Sequence, residues 1–242
     1  MIEEQKKKKK IKYKVILAGI IMALLLMMPV CYIQSIEVKN NFFYTAEEII
    51  QTSGIGKGHV LDLSYLTAKK HLKKLNYIAD VKLNYEFPGK IIIDVTEKAP
   101  YAYVKFKGNF LCINEQGQVI EQSQEKYHEI PIISGIKFKE FKVGEALPIL
   151  NEDHWFVAQE VMEKLMKYDY ATKINEIDVH NIEEIHLYVD KLDVIMGDIG
   201  DFDKKIVLLI QTYEGNDINL SVGELDISGL SKTGYATLKQ NT

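Results

Sequence analysis

ADVKLNYEFPGKIIIDV, Ala79 to Val95, alternates apolar and polar residues along two runs separated by Pro88-Gly89. Ala79, Val81, Leu83, Tyr85 and Phe87 interleave with Asp80, Lys82, Asn84 and Glu86, and Ile91, Ile93 and Val95 repeat the spacing after the turn. A period of two is that of a strand with one face buried, and Pro-Gly supplies the tight reversal. The segment therefore predicts a β-hairpin, with these apolar residues on its inner face.

Outward toward the N-terminus the period changes. Tyr65, Ala68, Leu72 and Leu75 recur at helical spacing within 64–75, with Lys69, Lys70, Lys73 and Lys74 on the wet side. SGIGKGHV, Ser53 to Val60, has its glycines in G-x-G-x-G spacing, follows a predicted helix, and places Lys57 before Gly rather than Ser or Thr. It reads as a helix stop and turn, not as a phosphate loop. Thr45 and Glu48 form a capping box that opens the first helix, and IEVKN, Ile36 to Asn40, is a short strand. The order is strand, helix, helix, strand, strand.

VILAGIIMALLLMMPVCYI, Val15 to Ile33, carries no charge over nineteen residues. As a helix it spans roughly 28 Å, close to the ~30 Å hydrocarbon core of a bilayer. The run is longer than a cleaved signal's apolar stretch and lacks a small-x-small site, which predicts a retained transmembrane anchor. Seven lysines precede it (Lys6 to Lys10, Lys12 and Lys14), and the positive-inside rule keeps 1–14 as a cytoplasmic basic tail. Everything after Gln34 is then outside the cell. That outer part has 23 Lys against 32 acidic residues, so simple attraction draws it neither to anionic lipid nor to anionic wall polymers.

All thirty basic residues are Lys, and the lack of the Arg fork argues against nucleic-acid recognition. The lysine-only set also fits an AT-rich genome of a Gram-positive type. Two cysteines, Cys31 and Cys112, with the first inside the apolar run, give no disulfide framework. At 47% hydrophobic and 26% charged residues, the chain is an ordinary folded one.

Past Lys98-Ala99-Pro100 the sequence turns strand-rich: YAYVKF, NFLCIN, QGQVIE and PIISG. One helix interrupts, about 152–168, with Trp155, Ala158, Val161, Met162, Leu165 and Met166 as its apolar stripe, which is core by default. Lys173 to Asp198 reads as three strands ending in Gly-Asp. Asp201 to Tyr213 is a helix for which Asp201 or Asp203 serves as cap, and ELDISGL and SKTGYATL close the chain as strands.

The β-α-α-β-β order resembles a POTRA domain, and its place directly after a single anchor resembles the FtsQ/DivIB family of cell-division proteins. The resemblance covers the architecture from Lys6 to Leu238, although the family often has Arg where ELDIS places Ser228. It implies an α+β fold: a transmembrane helix at 15–33, a POTRA-like βααββ domain at 34–99, and a mostly antiparallel β domain with flanking helices at 100–238, ahead of a short tail at 239–242. It also implies a non-catalytic divisome scaffold at the septal membrane that supports septal peptidoglycan synthesis. Its partners would be FtsB/DivIC-like and FtsL-like division proteins, met by strand addition at the last strand. The resemblance carries that docking role onto Thr233, Gly234, Tyr235, Ala236, Thr237 and Leu238, with Asp226, Ser228 and Gly229 at the neighbouring strand end. Tyr235 is the anchor candidate, because aromatic residues dominate interface energetics.

Two rival readings are a membrane-anchored wall transpeptidase or hydrolase and a POTRA-bearing transport or chaperone component. Lys232-Thr233-Gly234 with Ser134-x-x-Lys137 imitates the elements of serine acyl transferases. That chemistry needs Ser and Lys one helical turn apart, whereas the surrounding residues predict extended backbone on which positions three apart diverge. The third element, Ser-x-Asn or Tyr-x-Asn, is missing between them. His128-Glu129 lacks the second His of H-E-x-x-H, Asn219 stands where a nucleophile elbow at Ser221 needs Gly, and Asp198, Asp201 and Asp203 lack the calcium-loop Gly. No cofactor or metal is predicted. A transport role would need an outer-membrane barrel as partner, which a Gram-positive-type cell does not provide.

Overall fold

The computed structural model describes residues 12–22, 32–58, 63–214, 222–229 and 237–239. Two compact units divide the chain, Met1–Lys98 and Ala99–Thr242. Residues 12–22 are helical, 23–31 lie outside the described residues, and no helix among the described residues is long and apolar enough to cross a membrane.

In the first unit, β1 (Ser35–Lys39), α1 (Ala46–Ser53), α2 (Leu63–Leu72), β2 (Ile78–Glu86) and β3 (Lys90–Glu97) follow the predicted order. The sheet runs β1-β3-β2, with β1 parallel and β2 antiparallel to the central β3. A crossover to a parallel strand needs a covering helix, and here the α1–α2 pair supplies it. Ile49, Ala68, Leu72, Val81, Ile91, Ile93 and Val95 make one buried cluster, and the Tyr65 hydroxyl donates to the Leu83 carbonyl at 3.1 Å, tying α2 to β2. Thr45 caps α1 in a full capping box, as its spacing predicts.

Gly89 turns the hairpin at φ +88, and a Cβ there would lie 2.2 Å from the Tyr32 carbonyl oxygen, so only glycine fits. Phe87 is 72% exposed, against the inward position that alternation gave it, because β2 ends at Glu86 and Phe87 belongs to the turn. Ile92, on the supposedly wet face, is buried; it lies between Glu37 and Asn84 on the two flanking strands. The helix predicted to reach Leu75 stops at Leu72, and Lys69 and Lys73 hold Asp80 at 3.1 and 2.9 Å.

Among the described residues, the second unit is one nine-stranded sheet with two α-helices. Its strands are β4 (Ala102–Phe106), β5 (Asn109–Ile113), β6 (Val119–Ser123), β7 (Ile132–Ser134), β8 (Glu176–Asp178), β9 (Ile185–Val189), β10 (Lys191–Gly197), β11 (Val222–Asp226) and β12 (Thr237–Lys239). They lie in the order β12-β11-β10-β9-β8-β7-β4-β5-β6. Five of the eight pairings are antiparallel; β4–β7, β7–β8 and β10–β11 are parallel, so the sheet is mixed. Helices α3 (Glu152–Lys167) and α4 (Phe202–Glu214) share one core with Ala102, Val104, Leu111, Val194 and Leu225 of the strands. In α3, Val157, Ala158, Val161, Met162 and Leu165 are buried, whereas Met166, assigned to the stripe, is 43% exposed in the last turn.

Candidate partner-docking edge

The register of the sheet fixes where the last strand lies. Ile133, Ile177, Leu187, Val194, Leu225 and Leu238 are successive Cα partners from β7 to β12, and the first five are fully buried. The adjacent row runs Glu176, Tyr188, Asp193, Glu224, Lys239. Leu238 pairs with Leu225 and Lys239 with Glu224, so the backbone register of β12 continues both rows. This places β12 at one rim of the sheet, paired to β11 on one side.

The opposite rim is closed differently. β6 receives the 144–147 segment: the Val119 carbonyl accepts from Gly144 N–H at 2.7 Å, and the Glu145 carbonyl accepts from Val119 N–H at 2.9 Å. Of the two rims, β6 has its first residues already satisfied by the chain itself, whereas β12 has no second pairing among the described residues.

At the end of β11, Ile227 is buried and its N–H donates to the Ile195 carbonyl at 2.9 Å, which extends the parallel pairing one residue past the strand. Ser228 then turns over Gly197, where a Cβ would sit 2.9 Å from the Ser228 Cβ; Gly197 has φ +70, open to glycine. A cleft beside this turn is lined by Glu183, Asp198, Asp201, Lys205, Ser228 and Gly229. Lys205 is 1% exposed and its Nζ donates to the Asp198 carbonyl at 2.8 Å. Residue type alone would send this lysine to solvent, but helical spacing marks its position: Phe202, Lys205, Ile206 and Leu209 are the buried i, i+3, i+4, i+7 stripe of α4.

Of the residues assigned to docking, Asp226, Ser228 and Gly229 come together beside the cleft, and Thr237 and Leu238 form β12. Thr233, Gly234, Tyr235 and Ala236 lie outside the described residues, as do Ser221 and Lys232. The acidic trio separates: Asp198 and Asp201 border the cleft, while Asp203 accepts from Lys167 Nζ at 2.7 Å, the Tyr168 hydroxyl at 3.1 Å and Lys164 Nζ at 3.2 Å. Those hydrogen-bonded ammonium groups, Lys167 ahead of Lys164, hold the Asp203 carboxyl at about 2.

The acyl-transfer imitation does not assemble. Ser134 ends β7 and its hydroxyl donates to the Glu176 carboxylate; Gly135 follows at φ +94, and Lys137 N–H donates to the Asn151 side chain at 2.8 Å. Ser134 and Lys137 therefore share no helical turn.

A three-stranded sheet covered by two helices and, in a separate unit, a mixed sheet with two helices define a two-unit α+β protein. Residues 32–98 match the POTRA domain of FtsQ type, and residues 102–228 match the C-terminal domain of the cell division protein FtsQ/DivIB. The second match alone covers more than half of the chain, which belongs to the FtsQ/DivIB family. Among similar relatives, the cell division protein DivIB of Clostridium tetani is 28% identical over 80% of this chain and 74% of its own. That of Clostridium botulinum strain Hall is 27% identical over 94% and 91%. That of Staphylococcus aureus strain NCTC 8325 is 27% identical over 87% of this chain but 44% of its own.

Proposed function

We propose that this chain is a non-catalytic scaffold of the division machinery, held by one transmembrane helix over 15–33 with its N-terminus in the cytoplasm. In this reading it receives FtsB/DivIC-like and FtsL-like proteins at the β12 rim and so supports septal peptidoglycan synthesis. Membership of a cell-division family supports the process. The nineteen uncharged residues behind a lysine run support the topology.

The observation that carries the docking site is the position of β12 at the end of the nine-stranded sheet, paired with β11 from Glu224–Lys239 to Asp226–Thr237. A strand with one unpaired side offers N–H and C=O groups that a partner strand can satisfy. The β6 rim, partly filled by residues 144–147, offers fewer.

The test is copurification of the full chain with a DivIC-like partner. Truncation before Thr233 and the substitution Tyr235→Asp are each expected to abolish capture while circular dichroism stays unchanged; undiminished capture by both overturns the site. A fluorescent fusion is expected to give a midcell band, and an even membrane signal would overturn the division role.

A further inference from the structure

We propose that Cys112, Glu121 and His128 form a binding site for a single divalent metal ion of the zinc class, on the face of the second sheet away from α3 and α4. The ligand atoms of the three residues lie within 4.8 Å of one another. Strand alternation brings them there. On β4 and β5, Ala102, Val104, Leu111 and Ile113 belong to the helix-covered core, whereas Tyr103 and Cys112, each fully buried, do not. Tyr103 pairs with Cys112, and Cys112 pairs with Glu121. A bulge makes the last pairing possible. Ile113 pairs with Val119 and Cys112 with Glu121, which leaves Ile120 as the extra residue. Val119 can then point into the core while Glu121, two residues on, meets Cys112 on the opposite face; bulges re-aim side chains in this way.

The third ligand is positioned from above. The Tyr103 hydroxyl accepts from the backbone N–H of Tyr127 at 2.9 Å and of His128 at 3.2 Å, and the His128 ring stacks on Tyr103 at 6.4 Å. That places His128 Nε2 3.9 Å from Glu121 Oε1, an oxygen that is buried and has no hydrogen-bond partner among the described residues. Thiolate, imidazole and carboxylate are zinc's three protein ligand types, with bonds of about 2.0–2.3 Å. Such bonds put tetrahedral ligand atoms roughly 3.3–3.7 Å apart, so this set needs to close by about 1 Å.

Charge agrees with the choice of ion. A doubly charged cation with one thiolate, one carboxylate and a neutral imidazole is electroneutral, which suits a buried place. A thiol must give up its proton to bind a metal as the thiolate. Loading forms the sulfur–metal bond and releases that proton to solvent. Glu121 and His128 keep about a fifth of their side-chain surface exposed, enough for a water to complete the coordination. Thus the site would pin the 124–131 segment onto the back of β4–β6, at the end of the sheet opposite β12.

The probe is Co²⁺, a spectroscopic stand-in for zinc, added to the untagged, metal-free full-length chain and then competed with Zn²⁺. One equivalent is expected to produce a thiolate-to-cobalt charge-transfer band and tetrahedral d–d bands that Zn²⁺ abolishes. Cys112→Ser should remove the charge-transfer band, and His128→Gln, at a partly exposed position, should weaken Co²⁺ binding at least 10-fold while the circular dichroism spectrum stays unchanged. Absence of the band in the parent protein, or binding that both variants retain unchanged, overturns the proposal.

Discussion

Asp226 Oδ1 accepts from both the backbone N–H of Ser228, at 2.9 Å, and its hydroxyl, at 2.6 Å. One carboxylate thus closes the turn that follows β11, two residues beyond the register pair Asp226–Thr237 that seats the last strand. Asp226→Ala removes both bonds and leaves the Ser228 amide to find a new acceptor, at a cost of about 1–2 kcal/mol. Capture of the DivIC-like partner should fall several-fold with it. Ser228→Ala keeps the amide bond and should cost under about 1 kcal/mol. Equal partner binding by the two variants would separate this turn from docking.

Gly197 lies under the same turn. Alanine there would carry φ +70 and press its Cβ to 2.9 Å from the Ser228 Cβ and 3.3 Å from its Cα. A left-handed alanine costs roughly 1–2 kcal/mol before any clash. Gly197→Ala is therefore expected to lower stability by about 2–3 kcal/mol, read as a shift of the urea midpoint without a change in slope. A midpoint within error of the parent would show that the β10–β11 junction yields more easily than its packing implies.

Where periodicity and packing agreed, the sequence was readable. Ala79 to Val95 has both strand period and turn chemistry, and the hairpin forms with Val81, Ile91, Ile93 and Val95 inside. Phe87 departs because alternation cannot say where a strand stops, and Met166 because a helical stripe does not show where the covering core ends. The nine-strand order was out of reach: β7, β8 and β12 are three residues long, and their parallel or antiparallel sense depends on partners distant in the chain. For the same reason no spacing in the sequence joins Cys112, Glu121 and His128, since a bulge at Ile120 and a tyrosine on a third strand bring them together. Lys205 shows the reverse failure, a position on the buried stripe that residue type alone would assign to solvent.

Thr45 opens α1, the first helix over the hairpin. Its hydroxyl accepts from Glu48 N–H at 3.3 Å, and the Glu48 carboxylate returns the bond to Thr45 N–H at 2.8 Å. Thr45→Ala removes the hydroxyl's half of the exchange, leaves the Thr45 N–H bond to Glu48 in place and should destabilise the first unit by about 1 kcal/mol, whereas Thr45→Ser should be nearly neutral. Urea unfolding followed by helical circular dichroism distinguishes the pair; equal losses would mean that the methyl group, not the hydroxyl, matters.

Asp203 supplies the clearest dependence on pH. It stands in the first turn of α4, while Lys164 and Lys167 stand in the last turn of α3, so each charge is also favoured by the dipole of its own helix end. The folded carboxyl titrates at about 2, below the 3.8 of an unperturbed Asp. A depressed acid contributes stability that is complete above its unfolded value and is lost as pH falls through its folded one. The contribution is therefore whole at pH 5 and fades between about pH 4 and 2. More than a third of the side chain is exposed, and screening limits the effect to about 1 kcal/mol or less. Asp203→Asn keeps an acceptor for the Tyr168 hydroxyl but not the charge. Its unfolding free energy should lie below the parent's at pH 5, and the two should converge by pH 2, with the gap at pH 5 narrowing in high salt. Parallel curves across that range would show that Asp203 makes the same net contribution charged or neutral, and that the contact between α3 and α4 rests on packing alone.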